Sequence, residues 1–403
     1  MPRIAHAAAL ATALVGSVCG TAAAQPDAPK AASQPETPEK AETETGILPL
    51  VGGDTDNGFG GGAIGSIAAY DGRSTPYRWQ LQFAFFVAAK SDPTSPTYED
   101  AFVNLIVPHV WHDRFRLEIR PSFTRETALP FYGYGDNISI PQTSMPQRDF
   151  YTRLHPQLQA MTRWFLGEGW SLLAGSQYLY NQLSYAPTST LAMQLPTVPS
   201  HSVLRGETGL VYDSRDNEVS PRSGAYDTFE FRESPRLGAE FPYAYQQYDV
   251  QLRWYLPVSD RNTLALRAVG DLLVGDVPFY ELSRYEDTSA IGGSLGVRGV
   301  PAYTFYGKAK IFGNAELRTH LTRFTALDRK FSLGIATFFD AGRLWFDPTH
   351  PRPDLDGTGL GIHWGTGAGL RLQQGRAFLI RADVAWSPDA RPVGGYLLAD
   401  EIF

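Results

Sequence analysis

The sequence has a single cysteine, Cys19, and it lies in an N-terminal segment with the features of a cleaved leader. Arg3 is followed by an apolar run of about a dozen residues, 7–18, and by small residues up to Ala24, as in a secretory signal peptide. A membrane-spanning helix, the alternative for this segment, needs about 20 apolar residues. We therefore predict a signal peptide over residues 1–24. Its removal leaves no cysteine, which excludes disulfide scaffolds and thiolate sites.

In the rest of the sequence, too, no apolar run is as long as a membrane-spanning helix requires. This does not exclude a membrane, because the strands of a membrane barrel need only about 9–11 residues of alternating pattern. Basic residues are also outnumbered, with 35 Lys and Arg against 42 Asp and Glu and a net charge of −7. Because phosphate binding needs a basic face, this balance argues against nucleic acid as a partner.

Residues 25–45 have few large apolar side chains and are rich in Pro, Ala, Glu, Lys and Thr. Such a composition cannot bury enough surface to offset the entropy lost on ordering, so the segment is predicted to be a disordered tether. The remaining residues, 46–403, form one predicted domain.

The dominant pattern in this domain is alternation with a period of two. Segments 114–120, 248–254, 314–321 and 378–386 each have one apolar face and one polar, often charged, face. A soluble sandwich would show the same alternation, but these strands run to about 10–14 residues, whereas globular strands average about 5–6. Tryptophans also gather near strand ends, which suits the interfacial girdles of a membrane barrel. They are Trp79, Trp111, Trp164, Trp170, Trp254 and Trp345.

Sixteen strands are predicted, with connections that alternate roughly between short and long from the second strand on. Short periplasmic turns and long external loops produce this alternation, and an even number of strands returns both ends of the barrel to the periplasm. The predicted fold is thus all-β, a 16-stranded antiparallel transmembrane barrel. The predicted strands are 47–53, 59–70, 77–89, 100–110, 114–125, 148–163, 169–182, 203–213, 224–233, 244–257, 262–275, 307–321, 330–340, 363–373, 377–387 and 393–403.

The longest loop contains a glycine-rich segment, 291–301, with Arg298 at its centre. The alternation places Glu316 and Asp340 on the lumen face of later strands. A loop folded into the lumen must pair its charge, and arginine binds carboxylates through two parallel hydrogen bonds. We therefore predict a loop folded into the barrel, with Arg298 paired to these acids.

These segments resemble the bacterial surface antigen family, the superfamily of BamA- and TamA-like outer-membrane assembly barrels. The resemblance covers essentially the whole chain from residue 46 and implies the same 16-stranded fold. It also implies roles for individual residues. Val297, Arg298 and Gly299 would form the tip of the lumen loop, Glu316, Phe338 and Asp340 its partners on the wall, and Phe403 a C-terminal targeting residue. The segments that carry the resemblance are Val297-Arg298-Gly299, Glu316 to Arg318, Phe338 to Gly342, the aromatic-glycine loop 131–137 and the turn 212–217 with Pro221 and Gly224.

The sequence departs from the family pattern at three points. Only the short tether precedes the barrel, where assembly factors usually carry POTRA domains that bind client chains. Val300 stands where the family has tyrosine or phenylalanine, and Ala399 and Glu401 dilute the apolar alternation of the usual terminal signal. Insertion activity therefore follows less directly from the resemblance than the fold does.

The resemblance implies a non-enzymatic barrel in the outer membrane of a Gram-negative bacterium. It would aid insertion or translocation of proteins, or of lipids, through a weakly paired seam between the first and last strands. The expected partners are outer-membrane lipid, client outer-membrane proteins and an unidentified periplasmic protein, without a cofactor. The sequence leaves open a passive pore or a structural surface antigen, and also a barrel phospholipase, for which no clear Ser–His pair is present.

Four local patterns are set aside. Segment 292–296 matches the G-x-S-x-G motif, but no helix follows it, as a nucleophile elbow requires. Gly58 to Gly62 resemble a phosphate loop, again without a helix. The histidines show no metal-ligand spacing, and Asp213 with Asp216 fits a hydrogen-bonded turn better than a cation site.

Overall fold

A computed structural model describes residues 42–70, 77–90, 95–111, 114–141, 145–195, 200–217, 220–285, 288–326, 329–374, 378–389, 393–399 and 403. The predicted signal peptide and most of the predicted tether lie outside the described residues. Within them no helix is long and apolar enough to span a membrane. The helices there are short: α1 Pro146–Asp149, α2 Thr190–Gln194, α3 Pro353–Asp356 and a 3-10 turn at Phe279–Glu281.

The strands form one antiparallel sheet that closes on itself, because the first strand pairs with both the second and the last. Sixteen strands build this barrel, which confirms the predicted fold. In chain order they are β1 Glu42–Asp54, β2 Gly58–Tyr70, β3 Trp79–Ala89, β4 Pro96–Val110, β5 Phe115–Pro130, β6 in two segments Phe150–Leu154 and Gln157–Gly167, β7 Trp170–Ser184, β8 His201–Asp213, β9 Gly224–Ser234, β10 Ala244–Pro257, β11 Asn262–Asp276, β12 Ala309–Ala326, β13 Arg329–Trp345, β14 His363–Gln374, β15 Phe378–Trp386 and β16 Gly394–Ala399.

The two ends of the barrel differ in the length of their connections. At the turn end, where β1 begins, short segments such as 168–169 and 258–261 join the strands. At the loop end four connections are long, whereas the hairpin 55–57 and the connections 90–95, 235–243 and 387–393 are shorter. The predicted alternation is thus confirmed. The long connections are 131–149, 185–200, 277–308 and 346–362.

In most strands the polar face points into the lumen and the apolar face points outward; β2 and β3 also place apolar side chains such as Ile64 and Phe86 inside. In β12, Glu316 is fully buried inside while its neighbour Leu317 is 42% exposed on the outer surface. In β15, Asp383 is buried and Val384 is 59% exposed. A soluble sandwich would bury the apolar face and expose the charges, so the structure fits a membrane barrel with an apolar outer surface.

Aromatic side chains gather at both rims of this surface. At the turn end Trp111, Phe115 and Trp164 stack in a row, with ring centroids 6.1 and 5.7 Å apart. At the loop end Trp364 and Trp386 meet edge to face at 5.4 Å. The rings mark the two interfaces of a bilayer, where their amphipathic character is favoured.

The sixth strand differs from the prediction, which had it continuous over 148–163. It breaks at His155 and Pro156, and residues 148–149 belong to α1 instead. Proline has no amide hydrogen to donate to the ladder. The His155 amide still donates to the Thr124 carbonyl at 2.9 Å, so β6 resumes pairing with β5 after the break.

The first strand begins earlier than predicted, at Glu42 rather than residue 47, and so includes four residues assigned to the tether. It pairs residue for residue with β2, from Asp54 opposite Gly58 to Glu42 opposite Tyr70. The hairpin supplies backbone partners whatever the side chains are, and composition alone does not reveal this. The Tyr70 hydroxyl also donates to the Glu44 carboxylate at 3.3 Å.

Among the described residues, the closing pair of strands has the fewest pairings in the barrel. Between described residues, β1 pairs with β16 at two positions only, Gly53 opposite Leu397 and Asp54 opposite Tyr396. The β1–β2 pair has 13 such positions and the β12–β13 pair has 17. Since one hydrogen bond contributes about 0.5–1.5 kcal/mol net, the described part of this seam is held less strongly than the other strand pairings of the wall.

A charge placed on the outer surface tests the assignment of the membrane face. We expect Leu317→Arg, midway along β12, to destabilise the membrane-inserted barrel by about 2–4 kcal/mol. The yield of folded barrel in lipid vesicles, read from heat-modifiable gel migration, should fall. The matched control is Val258→Arg in a short connection at the turn end, where the native side chain is 62% exposed. Equal yields for both variants would contradict the assignment.

Candidate functional site in the barrel lumen

The connection between β11 and β12, residues 277–308, folds back into the barrel; we call it the lumen loop. Its tip, residues 291–301, is buried at every position from 291 to 300 except Leu295. Gly292 has a φ of +118°, and a Cβ there would lie 2.2 Å from the Pro301 carbonyl oxygen. Glycine is required at this position by both backbone conformation and space.

Arg298 is fully buried at the tip, between acids of two wall strands. Its Nε and Nη2 donate to the two oxygens of Asp340 on β13, at 2.7 and 3.0 Å. Its Nη1 donates to the Glu316 carboxylate on β12 at 2.6 Å. The Arg298 amide also donates to Asp340, at 3.1 Å, so both the side chain and the backbone of the tip are held.

A third carboxylate, Asp383 on β15, completes the cluster. It accepts from Arg298 Nη1 at 3.2 Å, from Arg371 at 2.5 Å and from Arg381 at 3.0 Å. Arg318 donates to the second oxygen of Glu316 at 2.9 Å. Four guanidinium groups thus surround three carboxylates, counting Asp340, and each charge has a partner of opposite sign, as burial requires.

Apolar contacts surround the ionic cluster. The Arg298 guanidinium lies over the Phe338 ring, 3.4 Å from its centroid. Val297 is fully buried and packs in a cluster with Ile291, Val300 and the wall residues Val269, Phe312 and Leu344. These side chains exclude water from the charges, which strengthens each ion pair and raises the cost of breaking it.

The backbone of the tip lies directly against the last three strands. A Cβ on Gly365 of β14 would lie 1.9 Å from the Arg298 carbonyl oxygen. Gly299 has a φ of +90°, and a Cβ there would lie 2.9 Å from the Trp386 carbonyl carbon of β15. The Gly299 amide donates to the Tyr396 hydroxyl of β16 at 2.8 Å. The tip therefore contacts every strand from β12 to β16.

The structure brings Arg298 together with the three wall residues expected from the sequence, and Val297 and Gly299 flank it. Sequence reasoning missed Asp383 and Tyr396. Both lie on lumen faces that alternation identifies, in 381–386 and 394–399. Their proximity to Arg298 depends on the register between strands, which a single sequence does not reveal.

A second set of charges holds the outer arm of the lumen loop. Glu281 lies 3.0 Å from Arg205 on β8, and Arg284 donates to Glu126 on β5 at 2.6 Å. Lys310 of β12 donates to the Arg284 carbonyl at 2.7 Å. The loop is thus attached to the wall on two sides, by its arm to β5 and β8 and by its tip to β12–β16.

Aromatic rings pack around this arm in the lumen. Phe279 packs against Phe131, Tyr151 and Tyr306, with centroid distances of 5.9, 5.2 and 6.4 Å. The Tyr306 hydroxyl donates to the Pro130 carbonyl at 2.6 Å, which joins the lumen loop to the end of β5. Burial raises the pKa of Tyr306 and keeps its hydroxyl protonated as a donor.

Phe403, the expected targeting residue, lies inside the barrel. It is 8% exposed, and its ring packs near Tyr255 and Ala265 on the lumen faces of β10 and β11. Its backbone oxygen accepts from Arg318 Nη2 at 3.1 Å. Targeting is a property of the chain before it folds, so that role stays a prediction.

Several residues of the patterns set aside in the sequence are buried or form hydrogen bonds within the protein. Ser294 of the G-x-S-x-G match is buried in the loop tip. Asp213 binds Arg215 at 2.8 Å, and the Asp216 carboxylate accepts the amides of Arg222 and Ser223 within the 214–223 turn. Among the described residues, no group of three or more His, Cys, Asp or Glu side chains is arranged to hold a metal ion.

A sequence profile of the Omp85 superfamily domain matches residues 103–392, well over half of the chain. The chain belongs to the Omp85 superfamily. The matched region of this Omp85 barrel runs from β4 to the connection after β15. It therefore contains the lumen loop and the three acids that bind Arg298. No curated protein sequence matches the chain significantly.

Two solved Omp85 structures share the fold. BamA from Haemophilus ducreyi lacking POTRA domains 1–3 superposes with a TM-score of 0.62 and 13% identity, over 90% of this chain and 70% of that one. CdiB from Escherichia coli gives 0.56 and 14%, over 91% of this chain and 64% of that one. The chain thus spans just under two thirds of CdiB. At these identities the likeness shows the fold, and superfamily and fold together support an outer-membrane location.

Removal of the tip cation should destabilise the barrel. Arg298→Ala leaves Glu316, Asp340 and Asp383 with fewer partners in a buried site, and breaking such a cluster commonly costs about 3–5 kcal/mol. We expect a lower urea midpoint for unfolding in vesicles. The control is Arg352→Ala, which breaks an ion pair whose side chains are 51% and 59% exposed and should change stability by less than about 1 kcal/mol. Similar midpoints for the two variants would refute the buried ionic cluster.

The close approach of the tip to β14 gives a test without any change of charge. Gly365→Ala places a methyl group against the Arg298 carbonyl and should push the tip away from the wall. We expect faster proteolytic cleavage of the lumen loop in the folded barrel. Gly270→Ala on β11, where a Cβ meets nothing within 4 Å, should leave the cleavage rate unchanged. A stable, protected loop in Gly365→Ala would show that the wall yields instead.

Proposed function

We propose that this Omp85 barrel assists the insertion or translocation of proteins at the outer membrane, by opening the seam between β1 and β16 toward the bilayer. The turn end would face the periplasm and the long loops the outside. Client outer-membrane proteins and the surrounding lipid are its partners in this proposal. The observation that carries it is the pairing of the seam at only two described positions, within a wall that is otherwise continuous.

The edge of β1 is suited to receive a client strand. Residues 42–52 of β1 pair with β2 on one side and with no described residue of β16 on the other. Residues 43–49 are exposed, with Ile47 at 63% and Leu48 at 55%, and Val51 is 78% exposed. An open edge presents unpaired amide and carbonyl groups, and an extended chain can add to it by backbone hydrogen bonding.

The bilayer favours the addition of a strand to this edge more strongly than water would. Lipid offers no hydrogen bonds, so each unpaired peptide group in the hydrocarbon region costs several kcal/mol. A client strand that pairs with β1 removes this cost for both chains. The other strand pairings of the wall and the bound lumen loop keep the rest of the barrel intact while the seam opens.

A passive pore is the main competing hypothesis from the sequence. The lumen loop opposes it, since Arg298 and its acids are fully buried and aromatic rings pack the space above them. A conducting pore needs a continuous water-filled path, whereas the described lumen holds a packed loop.

The test is the folding rate of a simple client barrel into vesicles that contain this protein, compared with empty vesicles. A reversible lock on the seam makes the test specific. A Cβ on Gly395 would lie 3.5 Å from Thr55 Cγ2, so Thr55→Cys with Gly395→Cys, in a Cys19→Ser background, should form a disulfide across it. We expect the unlocked protein to accelerate client folding, the oxidised pair to abolish the acceleration, and reductant to restore it.

A second cysteine pair controls for the disulfide itself. Phe229→Cys with Val250→Cys joins directly opposed residues of β9 and β10, inside a continuous ladder, and should leave the acceleration unchanged. Absence of acceleration by the unlocked protein would refute the proposed function and favour a structural or lipid-handling role. Acceleration that survives the locked seam would refute the route through β1 and β16.

A further inference from the structure

Tyr396 contacts the tip of the lumen loop and also belongs to the seam. Its hydroxyl accepts the Gly299 amide hydrogen at 2.8 Å. Its backbone stands opposite Asp54 of β1, in one of the two residue pairs that close the barrel. On its other side it stands opposite Asp383 of β15, which binds Arg298. One side chain therefore touches the loop, and its backbone belongs to the seam.

The surroundings of Tyr396 leave its ring little freedom. The residue is 4% exposed and packs in a cluster with Leu50 of β1, Phe338 of β13 and Leu398. Phe338 is the ring on which the Arg298 guanidinium rests. A displacement of the loop tip therefore reaches Tyr396 through the hydrogen bond, and Phe338, which contacts Arg298, belongs to the same buried cluster as Tyr396. Packed groups of this kind transmit displacements because the interior yields little.

We infer that Tyr396 is a positioning residue that holds β16 in the closed seam by means of the seated loop tip. With the tip in place, the Gly299 amide and the Tyr396 hydroxyl satisfy each other, and β16 stays in register with β1. If the tip leaves its site, the hydroxyl loses its donor. Among the described residues, β16 is then held against β1 by the two seam pairs and the Thr55–Gly395 hydrogen bonds, while its pairing with β15 persists. This role of Tyr396 rests on the proposed function for its purpose, since a seam that never opens needs no control.

The alternative is that Tyr396 only fills space. Tyr396→Phe separates the two, because it removes the hydroxyl and keeps the ring. The readout is the rate of disulfide formation between Thr55→Cys and Gly395→Cys in the Cys19→Ser background, which reports closure of the seam. Loss of one hydrogen bond should lower the closed-to-open ratio of the seam roughly two- to tenfold, and cross-linking should slow accordingly. A space-filling role predicts an unchanged rate.

A matched variant controls for loss of a buried hydroxyl. Tyr255 is 1% exposed on the lumen face of β10, and its hydroxyl has no described hydrogen-bond partner. Tyr255→Phe should leave the cross-linking rate unchanged. The urea midpoint is measured in parallel, so that a general loss of stability is distinguished from a local change at the seam.

Coupling to the loop tip is tested by combination with Arg298→Lys, which keeps the charge but loses the paired contact with Asp340. If Arg298 and Tyr396 act through one path, the double variant should cross-link no more slowly than the slower single variant. Fully additive slowing would overturn the inference, as would an unchanged rate in Tyr396→Phe. Cross-linking does not depend on any client. A failure of client acceleration therefore refutes the proposed function without affecting this measurement.

Discussion

Lipid provides no hydrogen-bond partner for a peptide group, and the form of the whole barrel follows from this constraint. Each strand pairs with both of its neighbours along most of its length, and the sheet closes on itself. Charged side chains, which lipid cannot solvate either, lie mainly in the lumen, and the outer-face charges Glu99 and Arg125 pair with each other. The exception is the edge of β1, where residues 42–52 have no described partner on β16. That exception is energetically costly in a membrane, and it is the feature on which we base a function.

The concentration of charge in the lumen creates a second requirement, because a narrow interior also solvates ions poorly. The chain meets it with paired groups contributed by many strands. Arg298 carries one charge from the loop into a site formed by Glu316, Asp340 and Asp383. Glu281 and Arg284 do the same for the outer arm. The lumen loop thereby connects strands that are far apart around the wall, and it is held by matched charge more than by shape.

Alternation of polar and apolar residues sufficed to predict the strand number and the lumen faces, and the glycine-rich segment around Arg298 predicted the loop that enters the barrel. The motif around Arg298, with the acids of β12 and β13, sufficed to predict most of its contacts. The rest depended on information that a single sequence does not contain. Asp383 and Tyr396 reach the tip through the stagger of β14–β16, the break in β6 reflects one proline, and the early start of β1 reflects pairing with β2.

The seam also determines when the barrel can close during folding. Thr55 and Gly395, which bond across it, are 340 residues apart in the chain, whereas every other pair of neighbouring strands is consecutive in sequence. Bringing such distant segments together has the largest chain-entropy cost, and contacts of long sequence separation form slowly. Chain entropy therefore favours closure of the seam as the last step of wall assembly. Each molecule thus passes, once in its own biogenesis, through the open-edged state that its proposed activity would later reuse.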